Sequence, residues 1–187
     1  MWMILNRIKK YVVFFVVMGL TGLLYRPATA QSFATSEYEI KAAFLFNFAK
    51  FAEWPPETMQ DTDGSFVIGI LGKDPFKDAL EQTIGDKTVR GSSIQIRRFR
   101  RLENLQPCHI LFISESEMGI LPAILRRIAD QSILTVSDMP GFASHGGMIN
   151  LYTENNKVRF MIHTQAVERA GLILSAKLLN LAKIFSE

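Results

Sequence analysis

The chain has 187 residues, 48% of them hydrophobic, with 21 Lys and Arg against 18 Asp and Glu and a single cysteine. That length suits one domain with a substantial core, and one cysteine excludes an intramolecular disulfide, so packing must supply the stability. The formal net charge of +3 is concentrated at the start: Arg7, Lys9, Lys10 and Arg26 lie in the first 30 residues, which hold no acid, and the remainder carries 17 basic against 18 acidic residues. Without those four cations the basic surface that a nucleic-acid partner requires is missing.

The first 30 residues have the order of an export signal. A basic stretch with Arg7, Lys9 and Lys10 precedes an unbroken apolar run from Tyr11 to Leu24, and Ala28-Thr29-Ala30 supplies the small residues of a peptidase site. Cleavage is expected before Gln31, leaving residues 31–187 as one domain. A retained anchor is the competing reading, but the apolar run is shorter than the roughly 20 residues a spanning helix needs. A lipoprotein is excluded because no cysteine follows the run.

Residues 31–35 read as a short polar lead. Ser36 then precedes "EYEIKAAFLFNFAKFAEW", whose Ile40, Ala43, Phe44, Phe48 and Phe51 fall at helical spacing until Pro55-Pro56. "SFVIGILG" (65–72) is a buried strand, followed by a helix with Asp74 as N-cap and Pro75 at its first position, running to about Gly85. "KTVRG" and "SSIQIRRF" are short strands, and 109–113 is another buried one. Ser114 and Glu117 have the spacing of a capping box, opening a helix over 115–129 that Pro122 should kink. "SILTVSD" (132–138) is a strand. "MINLYTENNKVRFMI" reads as a hairpin turning at Glu154-Asn155-Asn156-Lys157, and Thr164 caps a long last helix with Ala170, Ile173, Leu174, Leu178, Leu181 and Ile184 on its apolar face. The expected fold is α/β: a compact three-layer domain with a mainly parallel sheet, an antiparallel C-terminal hairpin and helices on both faces.

No catalytic set assembles from this pattern. His109, His145 and His163 lack metal-ligand spacing, and the expectation is one strand-end histidine bonded to backbone with the others near the surface. There is no G-x-S-x-G elbow, Cys108 sits at the start of a strand as a buried thiol, and Gly69-Ile70-Leu71-Gly72-Lys73-Asp74 is not a phosphate loop. Neither a cofactor nor a metal is expected. In an open parallel sheet, however, ligands bind beyond the carboxyl ends of strands, where Lys73-Asp74, Ser114 and Ser137-Asp138 would gather.

Two features exceed simple packing needs. Phe44, Phe46, Phe48, Phe51 and Trp54 surround the first helix more fully than one buried stripe requires, so the helix is either deep in the core or also serves a partner. Gly146-Gly147 before "MINLY" either shapes a bulge or lets a ligand or partner approach the backbone.

Those features carry a resemblance. "IKAAFLFNFAKFAEWP" (40–55), "GGMINLY" (146–152) and "AGLILSAKLLNLAKI" (170–184) resemble, in order and spacing, three signatures of the YfiR/HmsC family of periplasmic regulators. The resemblance implies a compact α/β fold, a homodimer, no enzymatic activity, and a repressor that binds the periplasmic sensor domain of an inner-membrane diguanylate cyclase, lowering cyclic-di-GMP and biofilm formation. Disulfide control found among such proteins does not carry over to a chain with Cys108 alone. Phe48, Phe51 and Trp54 are the expected partner-binding residues. The alternative is a periplasmic small-ligand receptor using the sheet-end crevice, or His145, Gly146 and Gly147 with Asn150 and Ser175.

Overall fold

A computed structural model describes residues 29–186. Residues 1–28, which carry most of the expected export signal, lie outside it. Residues 35–187 form one compact unit. The first helix, α1 (Thr29–Phe51), begins earlier than expected. Ser36 therefore lies inside it and is no cap, because residues 31–36 contain neither Pro nor Gly to stop the helix. It ends at Phe51, where Ala52–Glu53 form a two-residue strand, β1.

The remaining strands are β2 (Phe66–Leu71), β3 (Thr88–Val89), β4 (Ser92–Phe99), β5 (Ile110–Ile113), β6 (Leu134–Ser137), β7 (Ile149–Glu154), β8 (Lys157–Ile162), β9 (Ile173–Leu174) and β10 (Lys183–Ile184). Among the described residues they build an eight-stranded sheet in the order β10-β8-β7-β6-β5-β2-β4-β3, while β1 and β9 pair separately. β2, β4, β5, β6 and β7 run parallel, and β7 with β8 forms the antiparallel hairpin, in register from Ile149–Ile162 to Glu154–Lys157. Asn155 and Asn156 both take positive φ at its turn, as a tight hairpin of this twist demands.

Alternation along the central strands divides the core into two layers. Phe66, Ile68 and Ile70 of β2 with Ile110 and Phe112 of β5 pack under Leu45 and Phe48 of α1. Val67, Leu71, Leu111 and Ile113 face the other way, onto Leu121 and Ile124 of a helix over Leu121–Arg127 and onto Phe142. Helices cover both faces of a mostly parallel sheet, as expected.

Four local expectations are corrected. The helix after β2 spans only Ala79–Ile84. Asp74 instead accepts from the Phe76 N–H at 2.8 Å, an Asx-turn that uses the carboxylate before any helix starts. The Ser114 capping box forms by half: Ser114 Oγ accepts from Ser116 N–H, but its own N–H continues the sheet to Leu71 O. Glu117 has no free cap N–H to reach and accepts from Ser116 Oγ at 2.8 Å. The segment after Ser114 is a 3-10 turn over Glu115–Ile120, and Pro122 opens the following α-helix without kinking it, a position where its missing N–H costs nothing.

The expected long last helix is instead two short helices and two two-residue strands. Thr164–Arg169 ends at Gly171, whose φ is +70°. Ser175 then caps a second short helix, Ala176–Leu181, by accepting from Leu178 N–H. The segments between become β9 and β10, so backbone groups meet β1 and β8. Of the expected apolar face only Leu178 is fully buried; Ile173 and Leu181 are 63% and 69% exposed.

Candidate functional site

The end of α1 supplies an aromatic and cationic surface. Phe48 is completely buried, stacked on Phe44 and edge-on to Phe160. It supports the surface from beneath and presents none of it, since one helical stripe must face the sheet. Phe46 and Phe51 are half-buried, and lysines lie over their rings: Lys87 and Lys50 at 5.2 and 5.6 Å from Phe46, Lys177 at 4.9 Å from Phe51. β9 places exposed Ile173 opposite Glu53, two residues beyond Phe51. Trp54 is an anchor: its indole N–H donates to His109 O at 3.0 Å, and its ring stands edge-on to Phe66. The sequence places Phe46 with the helix aromatics though not among the expected partner-binding residues, whereas Ile173 and Lys177 are not read as part of this surface because they sit in what periodicity reads as one continuous helix.

The glycine loop is held by its own side chains. Gly146 takes φ +94°, and a Cβ on Gly147 would lie 2.2 Å from the Phe142 ring. The close approach that this pair permits is therefore made by Phe142. His145 is exposed and its Nδ1 lies 2.7 Å from Gly141 O. Asn150 is buried and donates to the carbonyls of Ser137, Met139 and Leu151. Ser175 is engaged elsewhere: its N–H donates to Phe51 O at 2.9 Å, tying it to the α1 surface.

Two histidines are buried, where one was expected. His109 Nδ1 accepts from Val67 N–H at 3.0 Å, and burial pulls its pKa down to about 4. His163 Nδ1 lies 3.2 Å from Ala143 O. Cys108 is buried, and burial pushes its thiol up to about 12, which removes thiolate reactivity. No group of His, Cys, Asp and Glu among the described residues could hold a metal ion.

The third neighbourhood lies beyond the carboxyl ends of the central strands. From β2 the chain goes to β4 on one side, whereas β5 pairs on the other; ligands of open α/β sheets bind at such a reversal. A cavity of about 390 Å³ opens there, lined by Tyr38, Lys73, Asp74, Ser114, Glu115 and Asp138, among others. Lys41 of α1 is 5% exposed and pairs with Asp138 at 2.6 Å and Glu37 at 2.7 Å. Tyr38 donates to Asp138 at 2.9 Å; burial first, then the Asp138 charge, raise its pKa. Arg98 pairs with the lining residue Asp74 and with Glu81, and its hydrogen bond holds Glu81 below the usual carboxylate range. Tyr38 and Lys41 were missed because they reach Asp138 across about 100 residues; the Glu37–Lys41 i,i+4 pair was the one local sign.

The described residues form a mostly parallel α/β domain with an aromatic, lysine-rimmed face at the end of α1. The chain matches the YfiR/HmsC-like family over residues 38–183 and belongs to it. Membership implies a regulator of diguanylate cyclase signalling, of a non-catalytic and periplasmic class. No curated protein matches the chain. No helix among the described residues is long and apolar enough to cross a membrane.

Proposed function

We propose that this protein, exported after loss of residues 1–30 and acting as a homodimer, binds the periplasmic sensor domain of an inner-membrane diguanylate cyclase and holds the cyclase inactive. The observation that supports this reading is the surface at the end of α1. Half-buried Phe46 and Phe51 and exposed Ile173 supply apolar and aromatic area outside the core, as interface centres do, and the lysines over the rings supply a charged rim. Repression then needs only a preference for one sensor conformation: about 3 kcal/mol shifts its two-state ratio roughly a hundredfold. When the regulator is withdrawn, cyclic-di-GMP and biofilm formation rise.

Co-purification tests this. Tagged protein recovered from solubilised membranes is expected to bring down a membrane protein with a cyclase domain, and the pair Phe51→Ser and Ile173→Ser is expected to lose it while staying folded. Recovery unchanged by that pair contradicts the assignment of the surface.

A further inference from the structure

We infer that the outer edge of β8 is a docking site for an extended, acidic segment of another protein, which adds to the sheet as a strand. This inference is independent of the cyclase reading, since it concerns another surface than the end of α1. β8 pairs along its whole length with β7 on one side, but on the other β10 covers only Met161 and Ile162. Residues 157–160 therefore have no strand on that side among the described residues. Phe185 N–H donates to Ile162 O, so Ile162 turns its backbone toward this edge, and by the two-residue alternation of a strand Val158 does the same. The hairpin agrees, since a two-residue loop closes on a hydrogen-bonded pair, here Glu154 with Lys157, and the next pair, Thr153 with Val158, stays out of that ladder. Val158 thus presents an N–H and a C=O that the sheet leaves open, the template an added strand needs.

The side chains along this edge select the occupant. A groove of about 610 Å³ follows the open stretch, and Phe44, Phe160 and the exposed Leu181 give it apolar walls. Val158 and Phe160 pack toward the α1 layer, so Lys157 and Arg159 alternate onto the opposite face. The groove holds Lys157, Arg159 and Lys183 against one acid, Glu154, which Arg159 already meets at 3.1 Å. Cations on an open edge guard it against self-pairing, and these do: a second copy of β8 laid antiparallel about Val158 would set Lys157 of each chain opposite Arg159 of the other. Like charges directly opposite are destabilising. A strand with Asp or Glu at alternate positions turns that repulsion into cross-strand pairs, while its intervening apolar residues meet Phe44 and Leu181. The same edge therefore rejects its own copy and admits an acidic one.

The test uses the purified protein and a capped, fluorescently labelled peptide of alternating Glu and Val, followed by anisotropy, with amide hydrogen exchange at Val158 read by NMR. The peptide is expected to bind and to slow exchange of the Val158 N–H at least tenfold. A peptide of alternating Lys and Val, and the protein variant Lys157→Glu/Lys183→Glu, are each expected to weaken binding by roughly tenfold or more. A backbone N-methylated Glu-Val peptide, which keeps the charge and loses the ladder, should bind as weakly. Both lysines are exposed and without an ion-pair partner among the described residues, so the variant should melt like the parent. Phe51→Ser/Ile173→Ser, at the α1 surface, is expected to leave peptide binding unchanged, which separates this edge from the proposed cyclase contact. The inference is overturned by absence of binding at millimolar peptide, by equal binding of the Lys-Val or N-methylated peptide, or by binding that leaves Val158 exchange unaltered. Protection of Val158 that rises with protein concentration alone also overturns it, since the edge would then be taken by a second copy.

Discussion

At the scale of single residues, the buried ion pair and the buried imidazole make the clearest demands. Lys41 is enclosed with Asp138 and Glu37, so Lys41→Met leaves an uncompensated carboxylate behind. Removing one partner of such a pair costs about 3–5 kcal/mol, whereas replacing both by apolar groups costs far less. Urea denaturation is expected to show that loss for Lys41→Met and a substantial recovery in the double variant with Asp138→Leu. His109 sets an acid limit. Its folded pKa of about 4 lies below the ordinary 6.5, so protonation favours the unfolded chain. The stability it allows is complete above pH 6.5 and falls as pH drops toward 4, reaching a loss of about 3 kcal/mol below that. His109→Gln is expected to flatten the pH dependence of unfolding between pH 6.5 and 4, whatever it does to stability at neutral pH. An unchanged slope would assign the acid sensitivity to other groups.

At the scale of elements, legibility followed how local the determining forces were. β2 and β5 were readable because a continuous apolar run bounded by polar residues has few alternatives to a buried strand, and the β7–β8 hairpin because Asn155-Asn156 suits its turn. The C-terminal segment was not. Its apolar spacing satisfies a helix, but Gly171 and Ser175 break it, and β1 and β8 offer the freed backbone hydrogen bonds that periodicity does not register. The glycine loop was legible as a close approach without the identity of what approaches. Gly147→Ala should strain the Phe142 ring and cost about 1–3 kcal/mol, as overpacking does. Gly147→Ala combined with Phe142→Leu is expected to regain part of it; equal instability of single and double variants would mean that the backbone, rather than the ring, requires glycine.

For the whole molecule, the three-layer arrangement followed from alternating strands and helices, and the sheet-end crevice from the rule that ligands sit beyond parallel strand ends. The two-sided sheet explains why Phe48 belongs to the core while Phe46 and Phe51 remain near the surface: one helix must both close the sheet and face outward. Phe48→Ala is therefore expected to cost about 3–5 kcal/mol in denaturant unfolding and to lose function only through folding, whereas Phe51→Ala should disturb stability far less and act through the partner. The proposed role is restraint of cyclic-di-GMP synthesis through the α1 surface. Its most direct test is cellular cyclic-di-GMP measured in a deletion strain complemented by parent or variant protein. A rise is expected on deletion, with return by the parent and no return with a folded, periplasmic Phe51→Ser/Ile173→Ser variant. A cyclic-di-GMP level unchanged by deletion would contradict it.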